Sequence, residues 1–246
     1  MDENLRFGTI YKALPLTTEF NYRKDGSFSS AVEMCTGVGE CRKTLKGTMC
    51  PSYMVTRDEQ HSTRGRANAL RLAMSGQLGP NGMTSDGLYD ILSLCLSCKA
   101  CKSECPSNVD MAKLKGEFLQ QYYNKHGMSI RDRIIANSPT VAKRMTGTIA
   151  PAANAIQDSR IFRQILEKTV GFSAKRILPH YAHKSFSSWF NGRPIKQKTS
   201  SSIAKVALFV DTYINYYEPH IGQAALNLLE SCGYMVLLAN VGCCQR

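Results

Sequence analysis

The sequence predicts a mainly helical protein with a basic helical middle segment and a C-terminal α/β unit. Through much of the chain, apolar residues recur at three- and four-residue steps, the spacing of a helix face. Continuous apolar stretches of strand length appear near the end, at 206–210 and 235–239. With 246 residues and 43% hydrophobic content, the chain can build a packed core. No apolar run approaches the ~18 residues of a membrane-spanning helix, and no secretory signal is expected.

The central motif is a cysteine run at residues 95–106. Cys95, Cys98, Cys101 and Cys105 are separated by two, two and three residues, and a proline follows the last. This spacing is typical of cubane iron–sulfur clusters in bacterial ferredoxins, where the fourth cysteine ligates the other cluster of a pair. A structural zinc site is the alternative, because it also uses Cys-x2-Cys pairs. A zinc site, however, does not require a third cysteine at this spacing followed by Cys-Pro.

A partner run lies at residues 35–51. Cys35 and Cys41 have the same six-residue separation as the outer cysteines of the first triplet, and Cys50 also precedes a proline. Overlaying the two runs puts Val38 where a second cysteine would stand. The alternative is an ordinary loop with three incidental cysteines.

Exchanging the last cysteine between the two runs predicts two unequal sites. One has a full ligand set for a [4Fe–4S] cluster: Cys50, Cys95, Cys98 and Cys101. The other has only Cys35, Cys41 and Cys105. Three thiolates suit a [3Fe–4S] cluster, or a [4Fe–4S] cluster with one iron held by water or a non-cysteine ligand. Gly37 and Gly39 fit this interpretation, because backbone packed against a cluster needs small residues and unusual φ/ψ angles.

Helices are predicted on both sides of the first run. Three segments have the apolar spacing and the end signals of helices: 64–74, 86–94 and 109–123. Strand signals are almost absent here, so residues 31–127 are predicted to form an α-helical ferredoxin-like domain after an irregular lead-in at 1–30. Arg64 and Arg66 are expected near the negative clusters, with solvated helix positions as the alternative. His61 is interpreted as polar surface, with ligation of the incomplete cluster as the alternative.

Residues 128–202 are predicted to be a basic helical linker. They hold 13 basic and 3 acidic side chains, about ten of the twelve net positive charges of the chain. No nucleic-acid motif is present, so no nucleic-acid partner is expected. An apolar stripe that includes Ile130 and Ile134 lies opposite Arg131 and Arg133. This stripe suits packing on the rest of the protein or a partner, with peripheral contact at a membrane surface as the alternative.

The last segment, 203–246, has the pattern of one βαβ unit. Strands are predicted at 205–211 and 234–239, with a helix at 219–232 between them. Cys232 is interpreted as a buried helix cysteine, while Cys243 and Cys244 are secondary candidate ligands. A βαβ unit is a poor domain alone, so we expect the chain to be truncated or completed by another chain.

Several motifs together resemble the iron–sulfur half of bacterial FAD-linked D-2-hydroxy acid dehydrogenases of the D-lactate, D-2-hydroxyglutarate and glycolate type. Iron–sulfur subunits of anaerobic glycerol-3-phosphate dehydrogenases and heterodisulfide reductases are similar in part. The stretches that carry the resemblance are Ala31-Val-Glu-Met-Cys35, Cys41-Arg-Lys, Met49-Cys-Pro-Ser-Tyr-Met-Val-Thr-Arg57-Asp-Glu, Thr63-Arg-Gly-Arg-Ala and the run at 95–106. Cys243-Cys244 is similar to the Cys-Cys-Gly motif of the family's cysteine-rich domain, although Gln245 replaces the glycine.

The resemblance implies an electron-transfer module that takes electrons from flavin and passes them to a downstream acceptor such as a quinone. FAD would be held by a flavoprotein domain or subunit, because this chain has no dinucleotide fingerprint and no paired general acid and base. No catalytic residue is therefore assigned. Cysteines with metal-ligand spacing indicate a reducing, cytoplasmic location, with the inner face of the membrane as the alternative. An iron–sulfur protein that senses oxygen or a ligand, or an inactive fragment, is the alternative function.

Overall fold

The computed structural model describes residues 11–194 and 204–239, which divide into two compact units. The first unit comprises residues 11–128 and the second comprises the described residues from 129 onward. Helices dominate both units, so the predicted mainly helical fold class is confirmed. Among the described helices, none combines the length and apolar character needed to cross a membrane.

In the first unit, the described residues form helices joined by turns and short 3-10 segments, without a strand. The α-helices are α1 (Phe28–Glu33), α2 (Pro51–Thr56), α3 (Thr63–Met74), α4 (Asp86–Ser93), α5 (Ala100–Glu104) and α6 (Met111–His126). The 3-10 helices are Arg23–Asp25, Glu40–Arg42, Glu59–His61 and Gly82–Thr84.

Side-chain caps explain where the three long helices of this unit begin. Ser62, Ser85 and Asp110 precede α3, α4 and α6, and each side chain accepts a hydrogen bond from a backbone N–H in the first turn. Such caps satisfy donors that the helix itself leaves unpaired. At the start of α3, Gly65 lets the helix lie against the preceding 3-10 turn, because a Cβ there would meet the carbonyl oxygen of Glu59 at 2.0 Å.

One face of each long helix is buried in the core of the first unit. Leu70 of α3, Leu92 of α4 and Phe118 of α6 are fully buried in one apolar cluster. The segment expected to be an irregular lead-in also contributes, since Tyr22 and Phe28 belong to the same cluster. This core holds the N-terminus of α3 and the two cysteine runs in fixed positions.

The second unit combines helices with a two-stranded parallel sheet. Its helices are α7 (Ile130–Ala136), α8 (Ser138–Met145), α9 (Ala150–Asp158), α10 (Arg160–Val170), α11 (Phe186–Asn191), α12 (Thr212–Tyr216) and α13 (Pro219–Ser231). Strands β1 (Lys205–Leu208) and β2 (Met235–Leu238) pair in parallel, with Val206 opposite Val236. The strand–helix–strand pattern of the sequence is therefore present, with both strands shorter than expected.

A small core joins the βαβ segment to the helix before it. Phe186 of α11 is fully buried with Leu226 of α13 and Val236 of β2. Gly222 permits this approach, because a Cβ there would lie 2.7 Å from the Phe186 ring. Residues that the sequence assigns to a linker thus share a core with the C-terminal segment.

Candidate metal centres

Four of the predicted ligands line one cavity of the first unit, which we term the first cavity. Cys95 and Cys98 reach it from the segment before α5, Cys101 from α5 itself, and Cys50 from the residue before α2. Cys50 and Cys101 are buried, whereas Cys98 is exposed. All four thiols therefore border one space at the edge of the unit.

The other three predicted ligands line a separate cavity, which we term the second cavity. Cys35 and Cys41 come from either side of a glycine-rich turn, and Cys105 comes from the end of α5. Val38 also lines this cavity and is 66% exposed. The position that lacks a cysteine in the sequence therefore lies at an open edge of the second cavity.

The first turn of α3 borders both cavities. Thr63 lines each of them, while Arg64 lines the second and Arg66 the first. Successive residues of an α-helix are rotated by about 100°, so side chains two positions apart point in nearly opposite directions. One helix start therefore supplies a cation to each site.

Unusual backbone conformations wrap the chain around the cavities. Ser97 and Lys99, which flank Cys98, have φ angles of 52° and 62°. Residues other than glycine adopt this region rarely, at a cost of ~1–3 kcal/mol. In the partner run, Gly37 and Gly39 have φ angles of 84°. These turns allow successive cysteines to face one space.

Backbone N–H groups at helix starts point at several thiols. The N–H of Arg64, in the first turn of α3, donates to the Sγ of Cys41 at 3.3 Å. The N–H of Met111, the first residue of α6, donates to Cys101, and that of Tyr53 in α2 donates to Cys50. Hydrogen bonds and helix N-termini stabilise negative charge, so each of these N–H groups opposes the effect of burial on the pKa of its thiol.

Two cations lie beside the first cavity. The fully buried guanidinium of Arg66 donates to the Sγ of Cys50 at 3.4 Å, to Ser52 Oγ at 2.9 Å and to the Ile91 carbonyl at 3.1 Å. The ammonium of Lys115 donates to the carbonyl oxygen of Cys95 at 2.7 Å. Burial lowers the pKa of Lys115, against the opposing effect of the nearby Cys95 thiol.

The cation at the second cavity is balanced by a carboxylate. Arg64 donates through Nη1 to the carbonyl oxygen of Gly37 at 3.1 Å. Its Nε and Nη2 form a two-pronged ion pair with Glu59, at 2.8 and 3.1 Å. Arg42 also pairs with Glu59 at 3.2 Å. The positive charge near this cavity is thus partly neutralised, unlike that of Arg66.

The buried thiols differ in their pKa values. Burial raises the pKa of Cys101 to about 11 and also raises that of Cys41. At Cys50, burial acts in the same direction, but hydrogen bonds from Ser52 and Arg66 and the Arg66 charge outweigh it and lower the pKa. Of these three thiols, Cys50 is the one whose surroundings most favour the thiolate.

Glu104 ties the two cysteine runs together. Its carboxylate accepts hydrogen bonds from the backbone N–H groups of Thr48 and Met49, at 2.9 and 3.0 Å, and another from the Thr48 hydroxyl. The residue before Cys105 is thereby joined to the residue before Cys50. Sequence reasoning missed Glu104 and Lys115, because neither lies in a pattern that distinguishes it from surface charge.

Other predicted residues lie outside the two cavities. His61 does not line the second cavity, and its ring contacts the Thr56 hydroxyl at 3.0 Å. The prediction that Cys232 is buried is wrong: it is exposed at the C-cap of α13, because the helix presents its last residues to solvent. Cys243 and Cys244 lie outside the described residues.

The chemistry of the two donor sets fits iron–sulfur clusters. Each cavity is lined by three or four thiols and by backbone N–H groups directed at sulfur, which are the usual surroundings of such clusters. In the part of the chain that the structure describes, no three His, Cys, Asp or Glu side chains have the arrangement of a site for one metal ion.

Comparison with known proteins agrees with this chemistry. Residues 31–109 match the model of the 4Fe-4S dicluster domain. The chain is 25% identical over 254 residues to a D-2-hydroxyglutarate dehydrogenase of Pseudomonas putida, which covers 86% of this chain and 25% of that protein. It is 28% identical over 177 residues to a subunit of the anaerobic glycerol-3-phosphate dehydrogenase of Escherichia coli. That match covers 68% of this chain and 43% of the subunit.

A shorter match links the same region to a third protein. Over 87 residues the chain is 31% identical to a probable glycolate oxidase iron-sulfur subunit of Bacillus subtilis, which covers 35% of this chain and 19% of that protein. The chain spans about a quarter of the length of the D-2-hydroxyglutarate dehydrogenases it matches. No solved structure gives a significant match. The predicted resemblance to this group of proteins is confirmed.

Proposed function

We propose, on the premise that residues 31–109 form a 4Fe-4S dicluster domain, that this chain is the electron-transfer module of an FAD-linked 2-hydroxy acid dehydrogenase. The observation that carries the proposal is the grouping of seven cysteines around two separate cavities. Similarity to D-2-hydroxyglutarate dehydrogenases and to a glycolate oxidase iron-sulfur subunit supports the substrate class. The flavin and the substrate would be bound by a flavoprotein domain or subunit.

The two cavities would hold clusters of different kinds. Cys50, Cys95, Cys98 and Cys101 would hold a [4Fe–4S] cluster in the first cavity. Cys35, Cys41 and Cys105 would hold a [3Fe–4S] cluster, or a [4Fe–4S] cluster with an open iron, in the second. When bound, such clusters accept and release single electrons. Two clusters could therefore take, one at a time, the two electrons that reduced flavin gives up.

The protein's own residues would set the conditions for this transfer. Four of the seven proposed donor sulfurs are shielded from water, because Cys35, Cys41, Cys50 and Cys101 are buried. Backbone donors from Arg64 and Met111 stabilise negative charge on sulfur. Exposure of Cys98 and Val38 leaves one edge of each cavity near the surface, where a flavoprotein and an acceptor such as a quinone would approach.

A direct test uses the anaerobically reconstituted chain with its candidate flavoprotein. We expect the two proteins to co-purify, and we expect D-2-hydroxyglutarate, D-lactate or glycolate to bleach the visible absorption of the clusters only when the flavoprotein is present. Dithionite should bleach the chain alone, which controls for intact clusters. Bleaching by dithionite but by none of the hydroxy acids, with the flavoprotein bound, would contradict the proposal.

Glycerol 3-phosphate is the substrate of the alternative dehydrogenase class, and the similarity to a subunit of that kind of enzyme favours it as the second candidate. The same assay distinguishes the two, because only the second predicts bleaching by glycerol 3-phosphate. A sensing role is favoured by the open edge at Val38. It predicts that oxygen changes the second cluster without any flavoprotein partner.

Contact with the membrane surface would bring the module to a quinone. Helix α10 exposes Ile161 and Ile165 together with Arg160 and Lys168. An apolar stripe flanked by cations suits the interface of an anionic bilayer. In this proposal the complex is cytoplasmic, with a peripheral position on the inner face of the membrane as the alternative.

A further inference from the structure

Arg66 is a charged side chain enclosed in the core of the first unit. Its exposed fraction is 0%, and its three hydrogen bonds go to Cys50, Ser52 and the carbonyl oxygen of Ile91. A guanidinium keeps its charge at any physiological pH. Burying a charge is costly unless an opposite charge accompanies it.

The partners of Arg66 do not supply that opposite charge. Ser52 and Ile91 contribute neutral oxygens, and no described carboxylate forms an ion pair with Arg66. Arg64, on the other side of the same helix, shows the contrast because Glu59 pairs with it twice. The remaining group within reach of Arg66 is the Cys50 thiol, which lines the first cavity.

We propose that Arg66 is the counter-charge of the cluster in the first cavity and a positioning residue that raises its reduction potential. The inference deepens the proposed function, because it rests on the assignment of a cluster to that cavity. Reduction adds one negative charge to the cluster, and a buried cation beside Cys50 stabilises the added charge. Coulomb interactions are strong where water is excluded and weaken with distance. The charge of Arg66 should therefore affect the potential of the first cluster more than that of the second.

The surrounding charges predict which cluster responds. Arg66 lines the first cavity and not the second. Lys115 is half-buried beside Cys95 and acts in the same direction. Lys102 also lies close to the ligands in sequence, but it is 62% exposed and pairs with Asp110 at 2.9 Å. Solvent and the carboxylate screen its charge.

The test is an EPR-monitored redox titration of the reconstituted full-length chain, with mediators and without flavoprotein. Arg66→Gln should lower the equilibrium constant for reduction of the first cluster at least tenfold, which is about 59 mV for one electron. The second cluster should change several-fold less. Arg66→Lys, which keeps the charge, should retain most of the potential, and Lys102→Gln should shift neither cluster appreciably.

An unchanged first-cluster potential in an Arg66→Gln protein with full iron content would overturn the proposal. If Arg66→Gln does not assemble the first cluster, iron content becomes the readout: restored assembly in Arg66→Lys supports the proposal, and equal loss in Arg66→Lys overturns it. These measurements need no hydroxy acid, so a failure here is distinguishable from a failure of the proposed dehydrogenase function.

Discussion

The carboxylate of Glu104, which precedes Cys105, accepts a 3.0 Å hydrogen bond from the backbone N–H of Met49, which precedes Cys50. The two cysteines that are predicted to exchange between the runs are therefore each one residue away from a shared contact. A second hydrogen bond, from the N–H of Thr48, reinforces it. This contact fixes the spacing between the loop that supplies one cavity and the helix that supplies the other.

Removing this contact should make both clusters less persistent. We expect Glu104→Ala to accelerate the loss of visible absorption in air several-fold, because the loop at Thr48–Met49 loses its acceptor. Glu104→Gln retains one acceptor oxygen and should show a smaller effect. Bleaching kinetics of the reconstituted proteins measure this, and equal rates for wild type and Glu104→Ala would show that the contact does not hold the loops.

Adding the missing cysteine should give the second cavity a full ligand set for a [4Fe–4S] cluster. Val38→Cys adds a thiol at the open edge of the second cavity, so we expect about eight irons per chain and no EPR signal from an oxidised three-iron cluster. Val55→Cys is a matched control, because Val55 is 84% exposed on α2 and lines neither cavity. If Val38→Cys and Val55→Cys give the same iron content and spectra, the position is not beside the cluster.

The apolar core of the first unit should contribute strongly to its free energy of unfolding. Phe118→Ala removes a fully buried ring from α6, at an expected cost of ~3–5 kcal/mol in the free energy of unfolding. Val55→Ala, at an exposed site, should change this free energy by less than ~0.5 kcal/mol. Denaturant unfolding of the anaerobic holoprotein measures both. A cost under ~1 kcal/mol for Phe118→Ala would contradict the core described above.

Membrane contact predicts a dependence on one helix face. The double variant Ile161→Glu, Ile165→Glu should lose co-sedimentation with vesicles of anionic phospholipid, because charge on the apolar stripe opposes insertion into the interface. Leu45→Glu, at a 92% exposed position of the first unit, is the control and should bind like wild type. Equal binding by the double variant would remove the support for a peripheral location.

The grouping of Cys95, Cys98 and Cys101 around one cavity could be predicted from sequence, because their spacing is a local signal. The helices at 64–74 and 86–94 were also predictable, since caps and apolar periodicity are local. Repetition of Cys-Pro indicated that Cys50 belongs with the first run, and the structure brings it to the cavity lined by Cys95.

Contacts between distant segments gave no such signal. Arg66 lies in a helical stretch with Arg64, and sequence alone does not tell which arginine is enclosed by the fold and which pairs with Glu59. The contact of Glu104 with Met49 depends on two loops meeting, and the packing of Phe186 against Leu226 depends on the second unit folding as a whole. These contacts join residues that are far apart in the sequence, so no local pattern predicts them.

The exchange of ligands between the two runs is the central claim, and single cysteine variants test it most directly. We expect Cys50→Ser to remove the EPR and Mössbauer signals of the [4Fe–4S] cluster held with Cys95, while the second cluster remains. Cys105→Ser should have the opposite effect, and Cys232→Ser, at an exposed site outside both cavities, should change neither. Loss of the second cluster in Cys50→Ser, with the first intact, would contradict the account.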